Sequence, residues 1–394
     1  MPLFTPRADT ESVADRRPTA TAPASTPRRR FTIGFGRSAL AGLTLATGLA
    51  GTASWLDLRQ AQAQAPAPAD KGANVAAKVT AKELRIGYQK SASLLVLQKA
   101  QGTLEKRLGD LAVSVRWIEF PAGPQLLEGL NVGAVDVGYV GEAPPIFAQA
   151  AGARFVYVGF DPAAAERART LNSEANRNEF ILSSLGLVAP TAEAILVPKD
   201  SALKSVAELK GRKVALNKGS NVHYLLVRQL EKHGLSFSDI QPVYLAPADG
   251  RAAFESGSVD AWVIWDPFQA AAEKAINARV LADGSGGVVN NYQYYLAARD
   301  YASANGAVID ALFADSVERG RWLKANLTEA AALIAPQQGL PPEVVELALT
   351  RYQFDVKPIT KAVAEDQQRI ADTFHSLKLI PKAIRISDAV LPQP

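Results

Sequence analysis

The sequence predicts an α/β protein of two lobes, each a mainly parallel sheet flanked by helices, with a ligand cleft between them. Three observations carry that expectation. Short apolar runs of strand length alternate with helix-forming stretches from Leu84 to Val158, the alternation that builds a parallel sheet covered on both faces. The same unit, strand then glycine-bearing loop then helix, begins again near Ala194. Glycine and proline recur at the strand-to-helix joints, so helix N-termini with free N–H groups open at strand ends.

The chain has 394 residues, enough for two or three domains, and its 48% hydrophobic and 21% charged content is ordinary for a globular protein. Its formal charge of +4 is unevenly placed. Residues 1–63 hold eight Arg against four acidic residues, which leaves 43−8 = 35 basic and 39−4 = 35 acidic residues beyond them. The excess belongs to the leader, and nothing argues for a nucleic-acid partner. In that leader Arg28-Arg29 precedes an apolar run from Ile33 to Ala50 weakened by Gly34, Gly36, Gly42 and Gly48, and Ala61-Gln62-Ala63 supplies small residues for cleavage. The order is that of a twin-arginine export signal, with the mature protein starting near Gln64. Cysteine is absent, which excludes disulfides, thiolate metal sites, a cysteine nucleophile and a lipid-bearing N-terminal Cys. His223, His233 and His375 are scattered rather than spaced as zinc ligands, and no cofactor is implied.

Residues 64–82 are Ala, Pro and Lys rich and read as a flexible linker into the fold. Residues 83–160 form the first part of lobe 1. Leu84–Tyr88 is a strand, Gln89 to Ala92 a loop, and Leu94, Leu97, Ala100, Leu104 and Leu108 one face of a helix; Val113–Phe120 is the second strand. Gly123-Pro124 opens a helix at Gln125, Val135–Val140 is a buried strand, and Gly141 with Pro144-Pro145 starts another helix; Phe155–Val158 is a further strand. Residues 161–192 read either as a polar insertion near the hinge or as a flap over the cleft, the insertion being the favoured reading. Residues 193–289 form lobe 2: Ile195–Pro198 a strand, Ser205-x-x-Glu208 a capping box for a helix that Gly211 closes, Val214–Leu216 a strand, then a helix from about Val222 to Lys232. Val243–Leu245, the Asp249-Gly250-Arg251 turn into the next helix, and Val259–Ile264 follow. Residues 290–394 return to lobe 1 with a strand over Asn291–Ala298 and four helices, Ile309–Leu327, Leu327–Ala335, Pro342–Arg351 and Ile359–Leu377.

The joints around Gly123 and Gly141 read either as an anion-binding cleft or as ordinary joints of an α/β core. A small oxyanion needs N–H donors, little fixed negative charge and an apolar wall. Gln89 offers an amide, Gly123, Gly141 and Gly219 allow close backbone approach, and Ser220 and Asn221 are short donors at a helix start. Ser220 is equally a plain cap. Trp265 and Tyr88 are candidates for the wall, with a core role open to Trp265. His223 in the first helical turn is either a neutral donor or simply packed. Glu142 and Asp266 point away, cap their helices or meet a cationic ligand group; capping is the favoured reading.

Leu84–Lys90, Phe120–Gln125, Pro144–Ala153, Lys218-Gly219-Ser220, Ala246–Asp249, Val259–Trp262 and Ile264–Pro267 together resemble the aliphatic-sulfonate-binding proteins of ABC importers. The residues themselves give Gln89, Gly123, Gln125, Gly141, Glu142, Gly219, Ser220, Asn221, His223, Trp265 and Asp266 as the candidate ligand set, and the resemblance implies a type II periplasmic binding protein whose lobes close on an organic sulfonate. It implies a monomer in the periplasm that docks on an inner-membrane ABC permease. Tyr139-Val140-Gly141-Glu142 stands where the family has smaller hydroxyl residues and an Asp, which leaves taurine, nitrate or another small solute as alternatives. A desulfinase-like enzyme is the reading from another class, and the missing cysteine argues against it.

Export through the twin-arginine route is testable on residues 1–63 fused to a reporter. Arg28→Lys with Arg29→Lys is expected to hold the precursor in the cytoplasm; normal processing of that double variant would contradict the assignment.

Overall fold

The computed structural model describes residues 79–162 and 191–391, which lie within the unit Ala73–Pro394. The leader, residues 64–78 of the linker and residues 163–190 of the insertion lie outside the described residues.

Lobe 1 is built on β1 (Glu83–Tyr88), which carries β2 (Ser114–Glu119) parallel on one side and β3 (Val137–Gly141) parallel on the other. With β4 (Phe155–Asp161) and the returning strand β10 (Gln293–Ala298) the order is β2-β1-β3-β10-β4. Lobe 2 repeats the plan as β7-β6-β8-β5-β9, from β5 (Glu193–Val197), β6 (Lys213–Leu216), β7 (Gln241–Tyr244), β8 (Ala261–Trp265) and β9 (Arg279–Asp283). Each sheet is mixed: β10 runs antiparallel to β3 and β4, and β5 antiparallel to β8 and β9. The reversal follows from the crossings. Strands β4 and β9 end on the side of their sheets where the other parallel strands also end, so a chain leaving there enters the partner sheet from that side and must run the opposite way.

The helices are α1 (Ser93–Gln101), α2 (Thr103–Gly109), α3 (Gly123–Asn131) and α4 (Ala143–Ala150) in lobe 1, and α5 (Asn221–Lys232), α6 (Pro247–Glu255) and α7 (Phe268–Ile276) in lobe 2. The return adds α8 (Arg299–Ala304), α9 (Gly306–Ala325), α10 (Leu327–Gln338), α11 (Pro342–Leu349) and α12 (Lys361–Ser376). The apolar face Leu94, Leu97, Leu104, Leu108 is buried as expected, but it belongs to two helices, because Gly102 at φ +63° ends α1 in the left-handed region. Ser205 and Glu208 open a single 3₁₀ turn, Val206–Leu209, rather than an α-helix, since β6 follows four residues later. Asp249-Gly250-Arg251 is not a turn before a helix but lies inside α6. Strand β9 went unread in the sequence; it is a half-exposed edge strand with little apolar patterning.

The return section does not rest on lobe 1 alone. Helices α9 and α10 pack on α1, yet α11 packs on α7 of lobe 2, and α12 brings Phe374 against Phe147 of lobe 1 and Tyr224 of lobe 2.

Gly250 sets how closely α6 lies on its sheet: a Cβ there would stand 2.6 Å from Trp262 Nε1. Gly250→Ala is expected to destabilise the fold by about 1–3 kcal/mol through overpacking; an unchanged urea midpoint would show that α6 yields without strain.

Candidate functional site

The carboxyl ends of the parallel strands in both lobes face one small cavity, as the Gly-Pro joints require. Gln89 and Ser91 reach it from the loop after β1, Gly123 from the start of α3, Gly141 from the end of β3, and Pro144 from the first turn of α4. Lobe 2 contributes Ser220, Asn221 and Trp265. Asn291, Gln293 and Tyr352 complete the wall. Among the described residues, none that carries a formal charge lines it. The volume is about 30 Å³, room for one or two waters, so the lobes stand nearly shut.

Asn221 spans the two lobes. Its Oδ1 accepts from the Ala143 N–H at the start of α4 (3.2 Å), and its Nδ2 donates to Asn291 Oδ1 (2.7 Å), which also accepts from Gln293 Nε2 (3.0 Å). A helix start on one lobe is thus satisfied by a side chain from the other. Gly141 is required for that approach, because a Cβ there would lie 2.0 Å from Asn221 Oδ1. Gln89 is held by donating Nε2 to Tyr139 O (3.2 Å).

Of the other expected site residues, Ser220, like Gly123 and Trp265, lines the cavity and the rest stand behind its wall. Gln125 is half-buried in the first turn of α3. Gly219, at φ +75°, lies against Phe147 and gives its N–H to His223 Nδ1 (3.3 Å). Ser220 occupies the N-cap of α5, but its Oγ donates to Asn217 O (2.7 Å) instead of capping the helix, which leaves lone pairs rather than a proton toward the cavity. His223 is fully buried among Phe147, Phe237, Tyr244 and Phe374, and burial, then Lys218, lowers its pKa to about 4. It is a neutral packed ring. Tyr88, expected on the apolar wall, instead lies edge-on to Trp117 and accepts from Lys99 Nζ (2.7 Å).

The two carboxylates differ. Glu142 does not cap α4; its Oε2 accepts from the Tyr292 N–H (3.0 Å) at the head of β10, and Gln367 Nε2 donates to its carbonyl (2.6 Å). Burial pushes its pKa up to about 8, against the backbone N–H groups of Tyr292 and Asn291, so at neutral pH it is mostly protonated. Asp266 does hold the first turn of α7 by accepting from Ala270 N (2.9 Å), and it meets Arg351 Nη1 at 3.1 Å. Burial raises its pKa to about 7 in spite of that arginine.

Ser91 and Pro144 were read only as loop and helix-start residues, and Asn291, Gln293 and Tyr352 were missed from the sequence. The polar cluster Asn290-Asn291 ahead of a buried strand was the signal available for Asn291 and Gln293; Tyr352 carries none, since only the packing of α11 brings it to the cleft.

Residues 156–321 match the family model described as NMT1/THI5 like. The chain is 44% identical over 317 residues to the putative aliphatic sulfonates-binding protein of Escherichia coli (strain K12), covering 80% of this chain and 91% of that one. It is 31% identical over 313 residues to the protein of the same description from Bacillus subtilis (strain 168), covering 78% and 86%. The alkanesulfonate-binding protein SsuA from Xanthomonas axonopodis pv. citri bound to MOPS superposes with a TM-score of 0.69 at 42% identity, over 79% of this chain and 98% of that one.

The raised pKa of Glu142 has a signed consequence. The folded state keeps a proton that the unfolded chain loses above the ordinary value of 4.5, so this group's contribution is complete below pH 4.5 and declines as pH rises to about 8. Glu142→Gln is expected to remove a slope of about 1.4 kcal/mol per pH unit across that window. Parallel wild-type and variant stability curves from urea titrations would show that Glu142 is ionised in the fold.

Proposed function

The chain belongs to the family of aliphatic-sulfonate-binding proteins of ABC importers, and from that premise we propose that it captures a small organic sulfonate between its lobes and delivers it to a membrane permease. The observation that carries this reading is the cavity wall: uncharged amide and backbone donors at helix starts stand beside Trp265, Pro144 and Tyr352. A sulfonate head has three oxygens that accept from several N–H groups at once, and its carbon chain needs an apolar neighbour. A neutral Glu142 behind the wall leaves the anion unrepelled.

Simple alkanesulfonates fit this wall better than taurine. An ammonium group needs a free carboxylate, whereas Asp266 is engaged by Arg351 and Glu142 by Tyr292 N–H. Nitrate would leave the apolar wall unused. We assign no catalytic step: Ser220 Oγ, a hydroxyl at the cavity, donates to the Asn217 carbonyl rather than to a general base. The protein acts as a monomer in the periplasm after twin-arginine export of a precursor cleaved near Gln64, and the lobes part to admit a ligand larger than the present cavity.

Calorimetric titration of the mature protein with alkanesulfonates, taurine, sulfate and nitrate tests the reading. Heat with alkanesulfonates is expected, with weaker binding of the others. Gly141→Ala, which sets a methyl against Asn221, is expected to cost about 1–3 kcal/mol, roughly 5- to 150-fold in Kd. Tight binding of taurine or nitrate with no response to alkanesulfonates would overturn the assignment.

A further inference from the structure

We infer that Arg351 is a positioning residue for ligand capture, which ties the return segment of lobe 1 to lobe 2 and holds the cleft closed without lining it. The inference rests on the binding reading above and adds the source of closure.

Arg351 stands where the chain passes from α11, which packs on α7 of lobe 2, to a stretch fixed to lobe 1. Asp355 N–H donates to Asp161 Oδ1 at the end of β4 (2.8 Å), Lys357 and Phe160 exchange both backbone hydrogen bonds (2.8 and 2.9 Å), and Phe354 and Val356 are buried in the lobe 1 core. From this anchor the guanidinium crosses to lobe 2. Nη1 lies 3.2 and 3.1 Å from the two oxygens of Asp266, and Nη2 lies 2.5 Å from Glu273 Oε2 on α7. Asp266 is fully buried, and the side chains of Arg351 and Glu273 are 14% and 18% exposed. Water and salt therefore screen the contact poorly while the lobes are closed.

The clamp also touches the cavity indirectly. Asp266 follows Trp265, and Tyr352 follows Arg351; both neighbours line the cavity, and Tyr352 Oη reaches Asp266 O at 3.4 Å. When the ion pair forms, those two rings are brought to the wall together. A closed state stabilised in this way divides the intrinsic Kd by the fraction of molecules that are closed, so loss of the clamp multiplies Kd by one factor for every ligand.

Arg351→Gln, with Glu273→Gln as a second variant that keeps the partner of Asp266, is to be titrated with a series of alkanesulfonates and followed by stopped flow. Both variants are expected to raise Kd by a similar factor across the series, roughly tenfold for Arg351→Gln, with koff rising by more than the gain in kon that a more open ligand-free cleft brings. Arg351→Lys is expected to recover part of the loss. Arg228→Gln, which removes an exposed pair within α5, is expected to change nothing. Small-angle scattering of the ligand-free proteins reads closure without any ligand: both clamp variants are expected to show a larger radius of gyration than wild type, even if no sulfonate binds and the functional reading fails. Kd and koff within about twofold of wild type, an altered ranking of ligands, or an unchanged radius of gyration would overturn the proposal.

Discussion

The hydrogen-bond ladder that seats β10 between β3 and β4 is the constraint on which the rest of the molecule depends. Its register sets Gln293 opposite Gly141 and Asp161, and Tyr294 opposite Val140 and Phe160. Those pairings join the return from lobe 2 to the heart of the lobe 1 sheet. They also decide what stands at the cleft, since the residues just ahead of the ladder are Asn291, which receives Asn221, and Tyr292, whose N–H holds Glu142. The crossing between lobes and the cavity wall are made from the same few residues. A shift of one residue in that register would turn every side chain of β10 to the other face and dismantle the wall.

The second constraint is electrostatic. Both crossing regions bury acids: Glu142 after β3, Asp161 at the end of β4, and Glu193 at the start of β5. Burial raises all three carboxyl pKa values, to about 8 for Glu142 and about 7 for Asp161, and Glu193 is driven up further by its neighbours Glu142 and Asp283. Groups that would oppose an anion as carboxylates are shifted toward the neutral form, since desolvation of a charge costs more than burial of a protonated carboxyl does. Asp266 is raised by burial as well, to about 7, even though a guanidinium meets it. The cavity is therefore surrounded by acids without being acidic, a condition suited to binding a small anion through neutral donors.

Closure is shared among contacts that differ in kind. Asn221 joins the lobes by neutral hydrogen bonds at the cavity, α12 joins them by aromatic packing of Phe374 on Phe147 and Tyr224, and Arg351 joins them by charge. Because these lie at separate places around the cleft, motion of one lobe against the other must loosen all of them, which favours two discrete arrangements over continuous flexing.

What the sequence by itself determined is what depends on near neighbours. The strands from Leu84 and Ile195, the helix starts at Gly123-Pro124 and Pro144-Pro145, and the burial of Leu97, Leu104 and Leu108 follow from periodicity and backbone chemistry within a few residues. The glycines at Gly123 and Gly141 and the Ser220-Asn221 helix start were legible at the cavity for the same reason. Tertiary structure alone decided the reversal of β5 and β10, the arrival of Asn291, Gln293 and Tyr352, and the retirement of His223 into an aromatic cluster. It also decided that Glu142 holds β10 rather than capping its own helix. Those outcomes rest on partners up to 225 positions away, as with Gln367 on Glu142, and on the loss of water around a carboxyl group. Neither a distant partner nor the dielectric of a site leaves a local pattern in the chain.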